Sequence, residues 1–229
     1  MNGPSGDDPL NAGSHLFGLP GAPMLRRQLV GPSTLTTEGP SPDYRAFFAG
    51  EKDRLRARGI DISPYPLSHL AYRVPKYDQY LHVRGLLERH AAANHENVWN
   101  GRPISKILLR EPLHVEPHVT VELIELIPPV HQRVYKMGLE HVGIVVGDAV
   151  DEFARTHRAA LTGQQFQGED IEPYYILFED FTHVKFYRYS LRAVVEREGG
   201  SFDRFVHVDD WVPPVVRTAT KGDDPRRTP

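Results

Sequence analysis

Apolar and polar residues alternate in several short runs, and these runs are separated by stretches with helical spacing. The alternation predicts strands at SHLAYRV (68–74), ISKILLRE (104–111), VTVELIEL (119–126), EHVGIVV (140–146), YYILFED (174–180) and HVKFYRY (183–189). Helical spacing, with turn and capping residues at the ends, predicts helices at 43–59, from about 76 to 94, from 148 to about 161 and at 190–198. The pattern is therefore that of a mixed α+β chain.

Two of the predicted strands begin in the same way. His69 and His141 each start an H-x-x-x-x-V sequence on a strand that precedes a helix, and they lie 72 residues apart (141 − 69). A repeat of this length is longer than a solenoid repeat and suits the duplication of a βαββ-type module. We therefore expect two similar modules, module one at about 60–128 and module two at about 138–190.

Composition limits the ordered domain and its partners. Residues 1–40 are rich in Gly, Pro, Ser and Thr, so we expect a disordered tail there, a domain at 41–199 with an added N-terminal helix, and a mostly irregular extension at 200–229. A net charge of −3 gives no basic surface for nucleic acid, and no run approaches the roughly 18 apolar residues of a membrane span. The start of the chain lacks the features of a signal peptide, and the chain has no cysteine. We expect a cytoplasmic protein without nucleic-acid or membrane partners, and a homodimer remains open.

The histidines are the candidates for chemistry. With twelve histidines and no cysteine, a metal would have to be held by imidazole and carboxylate. If the two modules share a cleft, His69 and His141 meet across it, and Glu125, between apolar neighbours in LIEL, is the best placed carboxylate. Glu122 on the opposite face of that strand is a rival, and Glu125 could instead face water. Two histidines and one carboxylate with open positions suit a non-haem Fe(II) site, whereas a histidine at a strand start is also commonly a hydrogen-bonded core residue.

Five segments, in order, resemble segments of YecM-like proteins of the vicinal oxygen chelate superfamily, the glyoxalase, bleomycin resistance and extradiol dioxygenase fold. They are GIDISPYPLSHLAYR (59–73), NGRPISKILLREP (100–112), IELIPP (124–129), GLEHVGIVV (138–146) and HVKFYRYSLRAVV (183–195). The resemblance implies two βαβββ modules that curve round a metal cleft, with ligands on the first and last strand of each module. By position, His69 and His141 take the first-strand roles and Glu125 the last-strand role of module one. The fourth position falls in HVKFYRY, where Tyr187 stands in place of the usual glutamate and is a poor ligand unless deprotonated.

The function that this resemblance implies is a divalent-metal-dependent enzyme, of isomerase/epimerase or non-haem Fe(II) oxygenase type. It would chelate a small polar molecule through two neighbouring oxygens, with Fe(II) as the first expected metal and Mn, Ni or Zn otherwise. Tyr187, Lys185 and His183 are the acid/base candidates. Arg73 and Arg102 are candidates for contact with an anionic substrate group, although such arginines are often structural. The alternatives are a catalytically silent protein that binds or sequesters a small molecule in the same cleft, which the missing fourth ligand favours, and a purely structural module.

Overall fold

The computed structural model describes residues 43–129, 136–166, 168 and 170–213. The expected tail at 1–40 and the last part of the C-terminal extension lie outside these ranges. The helices are α1 (Asp43–Arg56), α2 (Tyr77–Glu88), α3 (Val150–Thr156) and α4 (Leu191–Arg197), with a 3-10 turn at Gly147–Ala149. The strands are β1 (Leu67–Arg73), β2 (Ala91–Trp99), β3 (Arg102–Glu116), β4 (Val119–Ile127), β5 (Gly138–Val145), β6 (Gly163–Gln164), β7 (Tyr174–Leu177), β8 (His183–Tyr187) and β9 (Phe205–Val206).

The nine described strands form one sheet in the order β6-β7-β8-β5-β1-β4-β3-β2-β9. Each module consists of a strand, a helix and three further strands, and in each the first strand pairs in parallel with the last: β1 with β4, and β5 with β8. The modules meet where β1 and β5 pair antiparallel. The expected α+β fold of two βαβββ modules with an added N-terminal helix is confirmed.

Two predicted helices are too long. The predicted helix at about 76–94 ends at Glu88, and Ala91–Trp99 is instead strand β2. Its alanines favour a helix in isolation, but its pairing with β3 decides the conformation. At the end of β2 the chain reverses through Asn100 and Gly101, both of which have positive φ (49° and 73°), as an Asn-Gly hairpin turn requires. The helix predicted to end near residue 161 ends at Thr156, and the two-residue strand β6 follows it.

The two faces of the sheet differ in character. One face packs against α1, α2 and α3 through a single apolar core, in which the helices supply residues such as Phe48, Tyr80 and Phe153. The strands supply Leu70 and Ile144 to the same core. Because side chains alternate along a strand, the neighbours of these residues project from the other face. That second face carries the polar site and is covered in part by α4.

The described part of the C-terminal extension, residues 200–213, contacts module one. Strand β9 pairs in parallel with β2 and continues the sheet beyond module one. His207 Nε2 lies 2.7 Å from Glu88 Oε1, and the indole N–H of Trp211 donates to the carbonyl oxygen of Gly101 at 3.0 Å. The segment therefore braces the outer edge of module one. Among the described residues, no helix combines the length and apolarity required to cross a membrane.

Candidate metal centre

Three side chains from three adjacent strands converge at the junction of the modules. His69 on β1 and His141 on β5 place their Nε2 atoms 3.2 Å apart. The Oε2 atom of Glu125 on β4 lies 3.6 Å from His69 Nε2 and 3.1 Å from His141 Nε2. Both histidines are fully buried, and Glu125 is nearly so. The two histidines and the carboxylate therefore meet as the sequence predicts, and Glu122 instead pairs with Arg192 at the surface.

The sheet register explains why the three side chains meet. Glu125, Ala71, His141 and His183 are consecutive partners across β4, β1, β5 and β8. Residues paired in this way project from the same face, and only the methyl group of Ala71 separates Glu125 from His141. His69, two residues before Ala71, shares that face. A small residue in the centre of the row thus leaves room for the larger side chains to converge.

Gly143 provides the space for His69. The two residues are partners across β1 and β5, and a Cβ at Gly143 would lie 2.4 Å from His69 Cε1 and 2.6 Å from His69 Nδ1. No side chain fits there without displacement of the imidazole. The glycine that interrupts the apolar run of EHVGIVV is therefore explained by its contact with the first histidine.

Each histidine is held by the residue that precedes it. Ser68 and Glu140 are the extra residues of two β-bulges between β1 and β5, so each points towards the site together with its neighbour. Ser68 Oγ lies 2.8 Å from His69 Nδ1 and accepts a hydrogen bond from the backbone N–H of Leu191 at 2.7 Å. Glu140 Oε1 lies 3.3 Å from His141 Nδ1. Partners at Nδ1 orient each ring and leave Nε2 directed at the centre, as outer partners of metal-bound histidines do.

Electrostatics favour the protonation states that a metal requires. Burial lowers the pKa of His69 to about 3, so its imidazole is neutral at pH 7. Burial alone would raise the pKa of Glu125, but its hydrogen bond with His141 and the nearby positive charges hold it below its ordinary value. Glu140 behaves similarly: burial opposes ionisation, yet His141 and Arg73 lower its pKa to about 2. Neutral imidazole and ionised carboxylate are the forms that bind a metal.

The donor spacing fits a single divalent ion. Metal–ligand bonds of about 2.1 Å place neighbouring donors about 3.0 to 3.4 Å apart in octahedral or tetrahedral geometry. Two of the three observed separations, 3.1 and 3.2 Å, fall within this range, and the third, between His69 and Glu125, is slightly longer at 3.6 Å. The three donor atoms thus have the arrangement and outer partners of a metal site, and the residues that would hold an ion are His69, Glu125 and His141.

A cavity of about 180 Å³ opens onto this centre. The other predicted site residues all line this cavity, and they are Arg73, Arg102, His183, Lys185 and Tyr187. His69 lies behind them, with its ring 5.5 Å from that of Tyr187. Arg73 is largely committed to structure, because its guanidinium binds both carboxylate oxygens of buried Glu140. Arg102 is buried in the wall at the start of β3.

The structure places Lys185, and not Tyr187, at the position expected for a fourth ligand. Glu125 on the last strand of module one pairs with Ala71, two residues after His69. The residue that pairs with Gly143, two residues after His141, is Lys185. Tyr187 lies further along β8, opposite Val145, and burial raises the pKa of its phenol well above the ordinary value. A protonated phenol is a poor ligand for a divalent ion, so neither residue completes a four-ligand set.

Four polar residues of the site are absent from the sequence-based candidates. Ser68 and Glu140 precede the two histidines, and the pairs Ser-His and Glu-His at the two strand starts are the signal that could identify them. Lys106 stands inside the apolar run ISKILL and lines the cavity, where burial lowers its pKa to about 8. Asn97 on β2 accepts a hydrogen bond from Lys106. A lysine within an alternating apolar strand is a recognisable signal, whereas Asn97 has none.

Comparison with known proteins identifies the family. The family model described as YecM protein matches residues 38–174, which is more than half of the chain. The structural-genomics protein EC4020 aligns with a TM-score of 0.57 and 24% identity over 68% of this chain and 89% of that one. Two further solved structures align with lower scores. Fosfomycin resistance protein FosX from Listeria monocytogenes, as a mutant complexed with Mn(II) and 1S,2S-dihydroxypropylphosphonic acid, gives a TM-score of 0.23 and 14% identity over 58% and 96% of the two chains.

Hypothetical protein BH1468 from Bacillus halodurans C-125 is the second of these two structures, and it aligns with a TM-score of 0.34 and 13% identity over 54% and 93% of the two chains. No protein of curated function matches the sequence. The similarity to EC4020 concerns the fold alone, which in this chain consists of two paired βαβββ modules. The chain belongs to the YecM family.

Proposed function

We propose that this protein is a divalent-metal-dependent enzyme that acts on a small oxygen-bearing molecule in the cavity at the module junction. The observation that carries the proposal is the convergence of His69 Nε2, His141 Nε2 and Glu125 Oε2 within 3.6 Å of one another at that cavity. Three protein ligands leave coordination positions for two neighbouring substrate oxygens. The chemistry supplied by a bound divalent ion at these ligands is Lewis-acid polarisation of those oxygens.

The ligand set favours certain metals. Two imidazoles and one carboxylate with open positions suit Fe(II) first, and Mn, Ni or Zn also accept such donors. The activity that we propose is accordingly isomerisation or epimerisation, or oxygenation if the metal is Fe(II). Elemental analysis distinguishes these metals directly.

His183 is the base that we propose for proton transfer. It lines the cavity, its ring lies 6.2 Å from that of His141, and its buried Nδ1 has no hydrogen-bond partner among the described residues. Burial lowers its pKa to about 4, so the imidazole is neutral at pH 7 and can accept a proton. Tyr187 keeps its proton and is suited to donate a hydrogen bond to substrate. Lys185 lies in the same wall, where burial lowers the pKa of its amine.

The test is the metal content of protein purified without a metal-affinity tag, measured by elemental analysis with anaerobic Fe(II) reconstitution as a second arm. The wild type should hold about one ion per chain, and the His69→Ala, His141→Ala double variant should hold less than about a tenth of that. His118→Ala removes an exposed histidine and is the matched control. A wild type that stays metal-free after reconstitution would contradict the proposal.

A second candidate is a catalytically silent protein that binds a small molecule in the same cavity. The observation that favours it is Lys185 at the position equivalent to Glu125, where an ammonium group replaces a potential ligand. A silent binder would be stabilised by its ligand, with a rise in Tm that follows ligand concentration, but would convert none of it. Turnover of any ligand that raises the Tm would exclude this candidate.

A further inference from the structure

The pseudo-symmetry of the modules fails at one position in the site. His69 and His141 are equivalent in the two modules, and so are the positions of Glu125 and Lys185 on the last strands. One module therefore contributes a carboxylate to the centre and the other contributes a lysine amine. Lys185 has no hydrogen bond or ion pair among the described residues, although it lies in the cavity wall. A buried amine in that position, whose pKa burial lowers, would gain a partner from a ligand of negative charge.

The charges around the cavity support the same conclusion. Four basic side chains and three carboxylates line it. The basic residues are Arg73, Arg102, Lys106 and Lys185, and the carboxylates are Glu125, Glu140 and Glu198. Arg73 and Glu140 neutralise each other. A divalent ion held beside Glu125 would add two positive charges to this wall, and a bound anion would offset them in the buried cavity.

Two lysines flank the metal ligand from opposite sides. Lys106 on β3 is the cross-strand partner of Glu125, and Lys185 on β8 reaches the same face from module two. Lys106 is almost fully buried and is held by Asn97. An anionic group beside the metal ligands would therefore be in reach of both lysines. Lysines act as point charges for phosphoryl oxygens, whereas a carboxylate is typically recognised by a bidentate arginine.

We propose that Lys185 and Lys106 form a subsite for a tetrahedral dianion, of the phosphate or phosphonate class, on the molecule that binds at the metal centre. This inference rests on the proposed function, because it places the substrate's anionic group next to the ligands His69, Glu125 and His141. The metal would hold the oxygens to be polarised, and Lys185 and Lys106 would hold the charged end of the same molecule.

The experiment measures binding of inorganic phosphate to the full-length protein by calorimetry, with and without one equivalent of Mn(II), and of acetate as a planar anion. The wild type should bind phosphate more tightly than acetate. Lys185→Gln should weaken phosphate binding by about 10- to 100-fold, as expected for loss of a charge-assisted contact, while Mn(II) stoichiometry is retained. Lys185→Arg should restore binding to within about threefold, and Lys76→Gln removes an exposed lysine as the matched control.

A further variant tests the assigned position itself. Lys185→Glu places a carboxylate at the position equivalent to Glu125, so it should abolish phosphate binding and raise Mn(II) affinity by about tenfold or more. A thermal melt of each variant shows whether it is folded. Absence of phosphate binding in the wild type, or equal binding by wild type and Lys185→Gln, overturns the inference even if Mn(II) binds. Absence of Mn(II) binding with phosphate binding that still depends on Lys185 overturns the proposed function and leaves the anion subsite in place.

Discussion

Module one and module two have the same strand order but differ in size and in what they contribute to the site. The strands of module one have 7, 9, 15 and 9 residues, and those of module two have 8, 2, 4 and 5. The first strands are nearly equal, and each supplies a histidine. The last strands supply Glu125 and Lys185, respectively. The shared topology therefore provides a symmetric position for ligands, and divergence of the last strand makes the centre asymmetric.

The two modules are also braced differently. Module one is extended at its outer edge by β9 and by the contact of Trp211 with Gly101. Module two, with its shorter strands, is supported by α1, from which Arg54 donates to both carboxylate oxygens of Asp180 and to Thr182 in the turn between β7 and β8. The site lies at the seam between the modules, so a change there affects side chains of both.

The largest effect is expected where the seam holds a buried ion pair. Arg73 on β1 binds Glu140 on β5, and both side chains are about 3–4% exposed. Arg73→Met leaves the Glu140 carboxylate buried without its partner, which should lower the free energy of unfolding by about 3 to 5 kcal/mol in urea titrations. Arg192→Met breaks the exposed pair with Glu122 and should cost less than about 1 kcal/mol. Equal effects of the two variants would contradict the role assigned to the seam.

A smaller loss of stability is expected when the two modules are made alike at the position two residues after each histidine. Module one has Ala71 there and module two has Gly143. Gly143→Ala introduces a Cβ that meets the His69 ring, so the ring or the strands must move. We expect a loss of about 1 to 3 kcal/mol in stability and a metal affinity reduced by about tenfold. The control is Gly85→Ala in α2, where nothing lies within 4 Å and alanine should stabilise the helix by about 1 kcal/mol. An unchanged metal affinity in Gly143→Ala would contradict the tight contact with His69.

The sequence predicts the fold best where burial on one face produces strict alternation. The predicted strands at 68–74 and 140–146 match β1 and β5 to within two residues at each end. Strand β2 is not predicted because Ala91–Trp99 contains three alanines and few β-branched residues, and its conformation depends on pairing with β3 across the hairpin. Strand β6 has only two residues, too few for any periodicity. In both cases pairing with a neighbouring strand, which a local pattern does not contain, decides the conformation.

The same reason limits prediction of the site. Alternation and the family resemblance suffice to select His69, His141 and Glu125, which the structure brings together. They do not identify Ser68 or Glu140 as partners of the histidines, because strict alternation directs adjacent residues to opposite faces and the two bulges that reorient them arise only when β1 and β5 pair. The assignment of Lys185 to the position equivalent to Glu125 likewise depends on the register between β5 and β8.

The smallest expected effect is a pH dependence of the free energy of unfolding, which arises where α1 supports module two. Glu51 on α1 is buried, and burial raises its pKa to about 7, although Thr182 and Arg54 oppose this and Asp180 and Lys136 also act on it. A raised pKa in the folded state favours the protonated form, so this contribution to stability is complete below about pH 4.5 and is lost as the pH rises through 7. Between pH 5 and pH 8 the free energy of unfolding of the wild type should therefore fall by about 1 to 2 kcal/mol more than that of Glu51→Gln, after allowance for solvent screening near exposed Arg54. Urea titrations at the two pH values measure this difference. Asp53→Asn, an exposed carboxylate of the same helix, is the control. A constant difference between Glu51→Gln and wild type would show that Glu51 is ionised throughout, and that α1 supports module two through Arg54 alone.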